Sequence, residues 1–257
     1  MTKVAVVTGA NQHLGFALVE TLCKDLGADG IVCLTAQNLE RRNEAVQDSS
    51  HRLNPGFRME KRMEILSIHG SPRRNGSSSN IANHLVKKLE ANGNEIHTFH
   101  LNNLDIHGCQ ECFTCRKNRT DTCAIKDDIS MILELTKTSE VVIVSTPVFY
   151  ADISAQLKCF IDRTWSYFGK TGTSAEHLPR NRCLVFIQSY GYPDAHIYDQ
   201  LFEKYKKYFN MFGFDECYLI KAHGAQYNHP EAANGLEVLK LAEEIAARIG
   251  QRNQAHS

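Results

Sequence analysis

At 257 residues the chain can hold one large domain or two small ones, and its 42% apolar and 23% charged residues are those of a globular protein in water. A formal net charge of +0 argues against a nucleic-acid partner or an anionic membrane surface, and no apolar run approaches the roughly 20 residues of a membrane span. The opening residues lack the apolar core and cleavage site of a secretory signal, so a cytoplasmic address is expected, where nine cysteines point to thiols, a metal or a cluster rather than disulfides.

Residues 3–8 read as a β-branched strand, and residues 8–16 as a turn into a helix carrying Phe16, Leu18, Val19 and Leu22. A second strand is expected over 31–35 and a second helix over 39–46. This β-α-β-α opening, residues 1–47, resembles the start of the short-chain dehydrogenases, the carbonyl reductases in particular. Gly9 and Gly15 match that family's T-G-x-x-x-G-x-G pattern, but His13 replaces the middle glycine. A Cβ and an imidazole then stand where the backbone should approach a pyrophosphate. Gln37 stands where NADP-preferring members carry arginine, and no tyrosine is followed four residues later by lysine. The segment therefore reads as a truncated Rossmann-like fragment rather than a working dehydrogenase. Residues 48–62 are polar around Pro55-Gly56 and read as a linker.

A larger domain is expected over 63–250, with 251–257 as a tail. Its first strand, 64–68, runs into Gly70-Ser71-Pro72-Arg73-Arg74-Asn75-Gly76-Ser77-Ser78-Ser79-Asn80, and a helix follows with Ile81, Leu85, Val86 and Leu89 on one face. Strand, Gly/Ser-rich loop and helix form a phosphate-binding arrangement, because unpaired N–H groups and the helix dipole meet at the helix start. The same residues also suit an ordinary polar turn. Further strands are expected over 95–101, 141–146, 183–188 and 216–222. Further helices are expected over 128–138, 154–168, 197–211 and 235–249. The alternation predicts an open parallel α/β sheet with helices on both faces, whose ligand sits beyond the strand carboxyl ends. That placement gathers the loops 70–80, 146–152 and 188–193. His97 and His100 fall in a strand and read as surface or packed side chains.

Three signatures then stand in order: Gly-Ser-Pro-Arg with Gly-Ser-Ser-Ser at 70–79, Thr-Pro-Val-Phe-Tyr with Ser-Ala-Gln-Leu-Lys at 146–158, and Ser-Tyr-Gly at 189–191. Together they resemble the NAD(P)H-dependent FMN reductase and iron–sulfur flavoprotein family. The resemblance implies a flavodoxin-like five-stranded parallel sheet in order 2-1-3-4-5. It implies that Ser71, Arg73, Ser77, Ser78 and Ser79 hold the FMN phosphate. Pro147, Val148, Phe149 and Tyr150 would run along the isoalloxazine with Ile153 nearby, and Ser189, Tyr190 and Gly191 would close the other side. NAD(P)H is the implied cosubstrate, and the partner is a small electron acceptor such as a quinone or flavin. A homo-oligomer is also implied, with Trp165, Tyr167 and Phe168 either core residues or contacts to a neighbouring subunit.

Cys109, Cys112, Cys115 and Cys123 follow C-x2-C-x2-C-x7-C spacing. Four thiolates from one compact loop can surround a [4Fe–4S] cluster, whereas structural zinc more often uses two separated knuckles. Free thiols remain the plain alternative. Arg116, Lys117 and Arg119 would offset thiolate charge, and Asp127-Asp128 mark the next helix start. The expected function is an FMN-dependent NAD(P)H oxidoreductase. An iron–sulfur electron carrier and a non-catalytic flavin-binding or interaction module stay open beside it.

Overall fold

The computed structural model describes residues 3–8, 30–35, 59–171, 175–224 and 235–255. The turn and the helices expected between 9 and 46 lie outside the described residues. The chain separates into two compact units, Met1–Met63 with Arg248–Ser257, and Glu64–Ala247. In the first, strands β1 (Lys3–Thr8), β2 (Gly30–Thr35) and β3 (Met59–Lys61) form a parallel sheet in that order. The polar stretch read as a linker thus ends in a strand, which pairs Val32 with Met59 and Leu34 with Lys61. A three-residue strand is too short to leave a periodic signature.

In the second unit, β4 (Glu64–His69), β5 (Glu95–His100), β6 (Val141–Pro147), β7 (Cys183–Ser189) and β8 (Glu216–Ala222) lie in the order β5-β4-β6-β7-β8, all parallel. Counted from β4 this is the flavodoxin-like order 2-1-3-4-5. Central strands β6 and β7 are buried almost throughout, as continuous apolar runs require. Leu66, Val142, Leu184 and Phe186 share one core with Ile132 and Leu133 of α3 (Ile129–Thr138), Phe160 of α4 (Ala155–Arg163) and Phe202 and Tyr205 of α5 (Asp199–Met211). Between β5 and α3 lies the single turn α2 (Thr114–Lys117). Alternate strand residues, Ile65, Ile143 and Val185, point to the other face by the two-residue period, toward α1 (Ser77–Ala91), which contacts β4 to β7. The last helix, α6 (Gly235–Ala255), places Glu243 2.9 Å from Lys88 and 3.1 Å from His84 of α1.

Three helix boundaries differ from expectation. α1 begins at Ser77, so the serines form its first turn instead of a loop; serine is at home at helix starts. Residues 164–168 tighten into a 3-10 turn after α4, where the Thr164 hydroxyl donates back to Ile161 O at 2.6 Å. α6 continues past residue 249 to Ala255, through polar residues that carry no apolar period.

At the amino ends of the strands, Arg182 is buried where two helices stop. Its guanidinium donates to the carbonyls of Thr136 (2.6 Å) and Lys137 (3.2 Å) at the end of α3 and to Phe212 O beyond α5, and it lies 4.1 Å from the Phe214 ring. One cation thereby satisfies carbonyls left over by two helix termini, with both dipoles favouring it.

At the carboxyl ends, His69 of β4 and His100 of β5 pack ring to ring at 4.4 Å, and Ser67 Oγ lies 2.9 Å from His69 Nε2. Burial, with His100 beside it, lowers the His69 pKa to about 4. Between about 6.5 and 4 the unfolded chain therefore holds a proton that the folded chain does not. Stability should fall as pH drops through that window, by roughly 1.4 kcal/mol per pH unit from this group. Thermal unfolding at pH 7, 6 and 5 measures the slope, and His69→Gln should flatten it.

Candidate functional site

The loop after β4 is wound around one carbonyl. Arg73 O accepts from Gly76 N at 3.2 Å and from the Ser79 hydroxyl at 3.1 Å, while Ser71 Oγ accepts from Arg73 N at 3.1 Å. Gly76 is the N-cap of α1, and Asn80 N closes the helical ladder onto its carbonyl at 2.9 Å. The amides of the preceding first turn have no partner within the helix. Ser71, Ser78 and Ser79 have buried side chains, whereas Arg73 and Arg74 are exposed. The Ser79 hydroxyl braces the loop; backbone amides, the Ser71 hydroxyl and the exposed arginines are the groups able to meet an anion. A Cβ at Gly76 would lie 3.1 Å from Ser71 Oγ and 3.4 Å from Arg73 O, inside the cradle. The residues present therefore fit a phosphate held by bare backbone.

Ser154 joins this cradle to the next loop. Its hydroxyl donates to Gly70 O at 2.6 Å and accepts from Leu157 N at 3.3 Å, capping α4. Its own N–H donates to Thr146 Oγ1 at 3.0 Å. Gly70 N donates to Ser145 O at 2.8 Å, and a Cβ on Gly70 would meet both Leu157 Cβ and Ser154 Oγ at 2.8 Å. Only glycine allows so close a crossing. Val148 N donates to Ser189 O at 2.8 Å, linking the second loop to the third.

Beyond Pro147 the chain makes a two-residue turn. Phe149 N donates to Asp152 O at 2.8 Å and Asp152 N returns to Phe149 O at 3.1 Å. Tyr150 (φ 50°) and Ala151 (φ 65°) are both left-handed. Such a turn favours Asn-Gly; two other residues cost on the order of 1–2 kcal/mol each. Phe149 is 45% exposed and Tyr150 wholly so. Ile153, by contrast, is buried in the core. Tyr190 is also buried: its ring packs edge-on against Tyr198 at 5.0 Å, and its hydroxyl donates to Ala195 O at 2.9 Å. The structure thus brings Ser71, Arg73, the first turn of α1, Pro147 to Tyr150 and Ser189 to one edge of the sheet. Ile153 and Tyr190 stand behind that edge as support, and Gly191 is exposed.

The four cysteines line one cavity of about 430 Å³ together with Phe113, Ile125, Arg163 and Trp165. Among the described residues no three His, Cys, Asp or Glu side chains stand as a ready metal cage. The expected cluster ligands therefore share a cavity without converging. Glu111, Phe113 and Arg119 are left-handed (φ 53°, 55° and 49°), so the backbone doubles back on either side of Cys112. A hydrogen bond from the Thr114 hydroxyl, 3.3 Å away, lowers the Cys112 thiol pKa, while burial raises that of Cys115. Arg116 stacks over Trp165 at 4.5 Å. Tyr167 and Phe168 are core residues, and Trp165 is 48% exposed.

Both ends of the cysteine loop are tied to α4 by a buried ion pair that no local signal marks. Arg163 pairs with Asp127 and donates to Ile125 O at 2.9 Å and His107 O at 3.4 Å. Asp127 accepts from His107 N at 2.9 Å and Ile129 N at 3.1 Å. Asp128, the N-cap of α3, makes no side-chain cap; its carboxylate accepts from Asp105 N at 2.8 Å instead.

A parallel sheet in this order, with helices on both faces and a glycine-serine loop at the first strand's carboxyl end, defines a flavodoxin-like protein. The chain belongs to the NADPH-dependent FMN reductase family, whose profile matches residues 63–223. It is 35% identical over 105 residues to an iron-sulfur flavoprotein of Archaeoglobus fulgidus, covering 41% of this chain and 47% of that protein. The chain spans about half the length of the iron-sulfur flavoproteins it matches. It is also 40% identical over 68 residues to Carbonyl reductase [NADPH] 1 of Sus scrofa, covering 26% of this chain and 23% of that protein, the family that the opening residues resemble. Among solved structures, an FMN-dependent NADH-azoreductase from Bacillus anthracis in complex with FMN superimposes with a TM-score of 0.57 at 18% identity, covering 73% of this chain and 99% of that one. At that identity the likeness is one of fold.

In the sequence Ser154 only opens the helix expected over 154–168; the structure makes it a cap and the joint between two loops. Ser154→Ala removes the cap and the bond to Gly70 together, and should cost about 1–3 kcal/mol in denaturant unfolding. Ser154→Thr keeps the hydroxyl and should recover most of the loss.

Proposed function

We propose that the protein is an FMN-dependent oxidoreductase that takes electrons from NADPH or NADH and passes them to a quinone, a flavin or another small acceptor. The observation that carries this reading is the cradle at the start of α1, cross-linked by Ser154 to the aromatic turn at the same edge of the sheet. In this reading the first-turn amides of α1, with Ser71 at the loop's start, hold the phosphate, and Arg73 adds a cation. Pro147, Val148 and Phe149 present a flat apolar edge to the ring system, and backbone groups at Ser189 and Gly191 close its polar rim. Bound FMN supplies hydride acceptance and onward electron transfer; the chain's residues bind, orient and exclude water, and no protein acid or base is required. The reading makes the protein a cytoplasmic homo-oligomer in which exposed Trp165, with Tyr208 and Met211 nearby, meets a second copy. No helix among the described residues is long and apolar enough to cross a membrane.

Ser77→Asp tests the cradle. A carboxylate in the first turn suits the helix dipole, so the apoprotein should keep its stability. The same charge opposes a phosphate dianion, so FMN affinity should fall roughly tenfold or more. Titration by flavin fluorescence measures it, and unchanged affinity would count against the assignment.

The cysteine cavity supports a second element of the reading, a [4Fe–4S] cluster held by Cys109, Cys112, Cys115 and Cys123. Support comes from the spacing, the shared cavity, the doubled-back backbone around Cys112 and the curated relatives called iron-sulfur flavoproteins. Binding would draw the thiols inward around the metal. The chain has a single tryptophan, Trp165, and it lines the cavity. Anaerobic reconstitution with iron and sulfide should therefore give roughly four iron atoms per chain and quench tryptophan fluorescence. Cys112→Ser should lose both signals.

A further inference from the structure

The turn at 149–152 adopts a conformation that its own residues disfavour. Tyr150 and Ala151 are successive left-handed residues without a glycine, and neither aromatic side chain at the tip is covered. Local preference and burial therefore do not hold it; something outside the turn does.

That anchor is Asp152. Its Oδ1 accepts from the Tyr205 hydroxyl at 2.8 Å and from Ile153 N at 2.7 Å, and its Oδ2 accepts from Lys204 Nζ at 2.7 Å. Tyr205 is buried, its ring stacked on Phe186 of β7 at 6.0 Å, so the anchor is fixed to the core. Lys204 Nζ sits 4.6 Å from the same Tyr205 ring. Both carboxylate oxygens are engaged, Oδ1 by α5 and by the chain leading into α4, and Oδ2 by α5.

We infer that Asp152 is a positioning residue: it latches the strained turn to α5 so that Phe149 and Tyr150 stand over the flavin edge as a stacking platform for the second planar substrate, nicotinamide or quinone. The inference rests on the FMN reading, and adds to it which substrate the turn serves and what holds the turn in place. The phosphate cradle is on a different loop, joined through Ser154 and Gly70, so the latch should govern the planar substrates and leave phosphate binding alone. A left-handed turn is also the conformation that glycine relieves, which gives the latch a rescue partner at position 151.

The experiment uses full-length holoprotein with wild type, Asp152→Ala, Asp152→Asn, Ala151→Gly and the Asp152→Ala/Ala151→Gly double variant. Asp152→Ala should raise KM for NADPH and for benzoquinone about tenfold, with kcat within threefold of wild type and FMN still bound, its dissociation constant rising by less than KM does. Fluorescence of bound FMN should rise as the aromatic side chains leave the ring. Asp152→Asn keeps acceptors for Tyr205 and Ile153 and should fall between. Adding Ala151→Gly to Asp152→Ala should restore part of KM and of the quenching. Wild-type KM and quenching in Asp152→Ala would overturn the latch while FMN uptake still upheld the flavin reading. Failure of the wild type to take up FMN would overturn both. Where Asp152→Ala does not fold, Asp152→Asn and Tyr205→Phe carry the same comparison, and unaltered KM and fluorescence in both would overturn the latch.

Discussion

The hydroxyl of Ser154 is where the site is made. A flavodoxin-like sheet delivers loops to one edge, but loops that end near one another are not yet a binding surface. Ser154 donates to the carbonyl of Gly70, caps α4 through Leu157 N, and by its own amide reaches Thr146. One small residue fixes the start of the glycine-serine loop, the aromatic loop and the helix that follows it. Gly70 has to be glycine because the crossing leaves no space for a Cβ. The third loop joins through a single backbone bond from Val148 to Ser189.

The same helix borders the cysteine cavity. α4 is nine residues, about 13 Å at ~1.5 Å per residue, capped by Ser154 at its start and ending at Arg163. Arg163 is buried against Asp127 and clamps both ends of the cysteine loop. A buried ion pair of this kind adds little net stability over apolar packing, since desolvation offsets attraction. Its consequence is geometric: the loop entrance at His107 and its exit at Ile125 are held to one guanidinium. The cradle and the cysteine cavity therefore keep a set separation, whatever each binds.

Polar and strained features concentrate at the carboxyl edge, while the opposite end is closed by Arg182 drawing two helix termini together. Left-handed non-glycine residues fall at 111, 113, 119, 150 and 151, all in the two loops argued to bind ligands, with Asn181 beside Arg182 as the exception among the described residues. Backbone strain of this kind survives only where surrounding contacts over-determine it, and in the turn at 149–152 those contacts are the three bonds to Asp152.

The sequence by itself determined the five strands of the second unit to within a residue, and the helices between them. Burial on both faces writes apolar runs such as Val141 to Val144 directly into the chain, and amphipathic helices repeat with a readable period. It also marked the loop edge and the cysteine spacing, because glycine, serine and cysteine are local signals. Tertiary structure alone decided which of the marked residues are exposed at that edge and which are buried behind it. Tyr190 and Ile153 lie in or beside the same run of signatures as Phe149 yet turn inward, since their neighbours Tyr198 and the core offer them burial. It alone decided the partners of Ser154, Asp152 and Arg163, whose bonds span 84, 53 and 36 residues. A hydrogen bond or ion pair across such separations leaves no periodicity in the chain; it exists only once the sheet has brought its ends together.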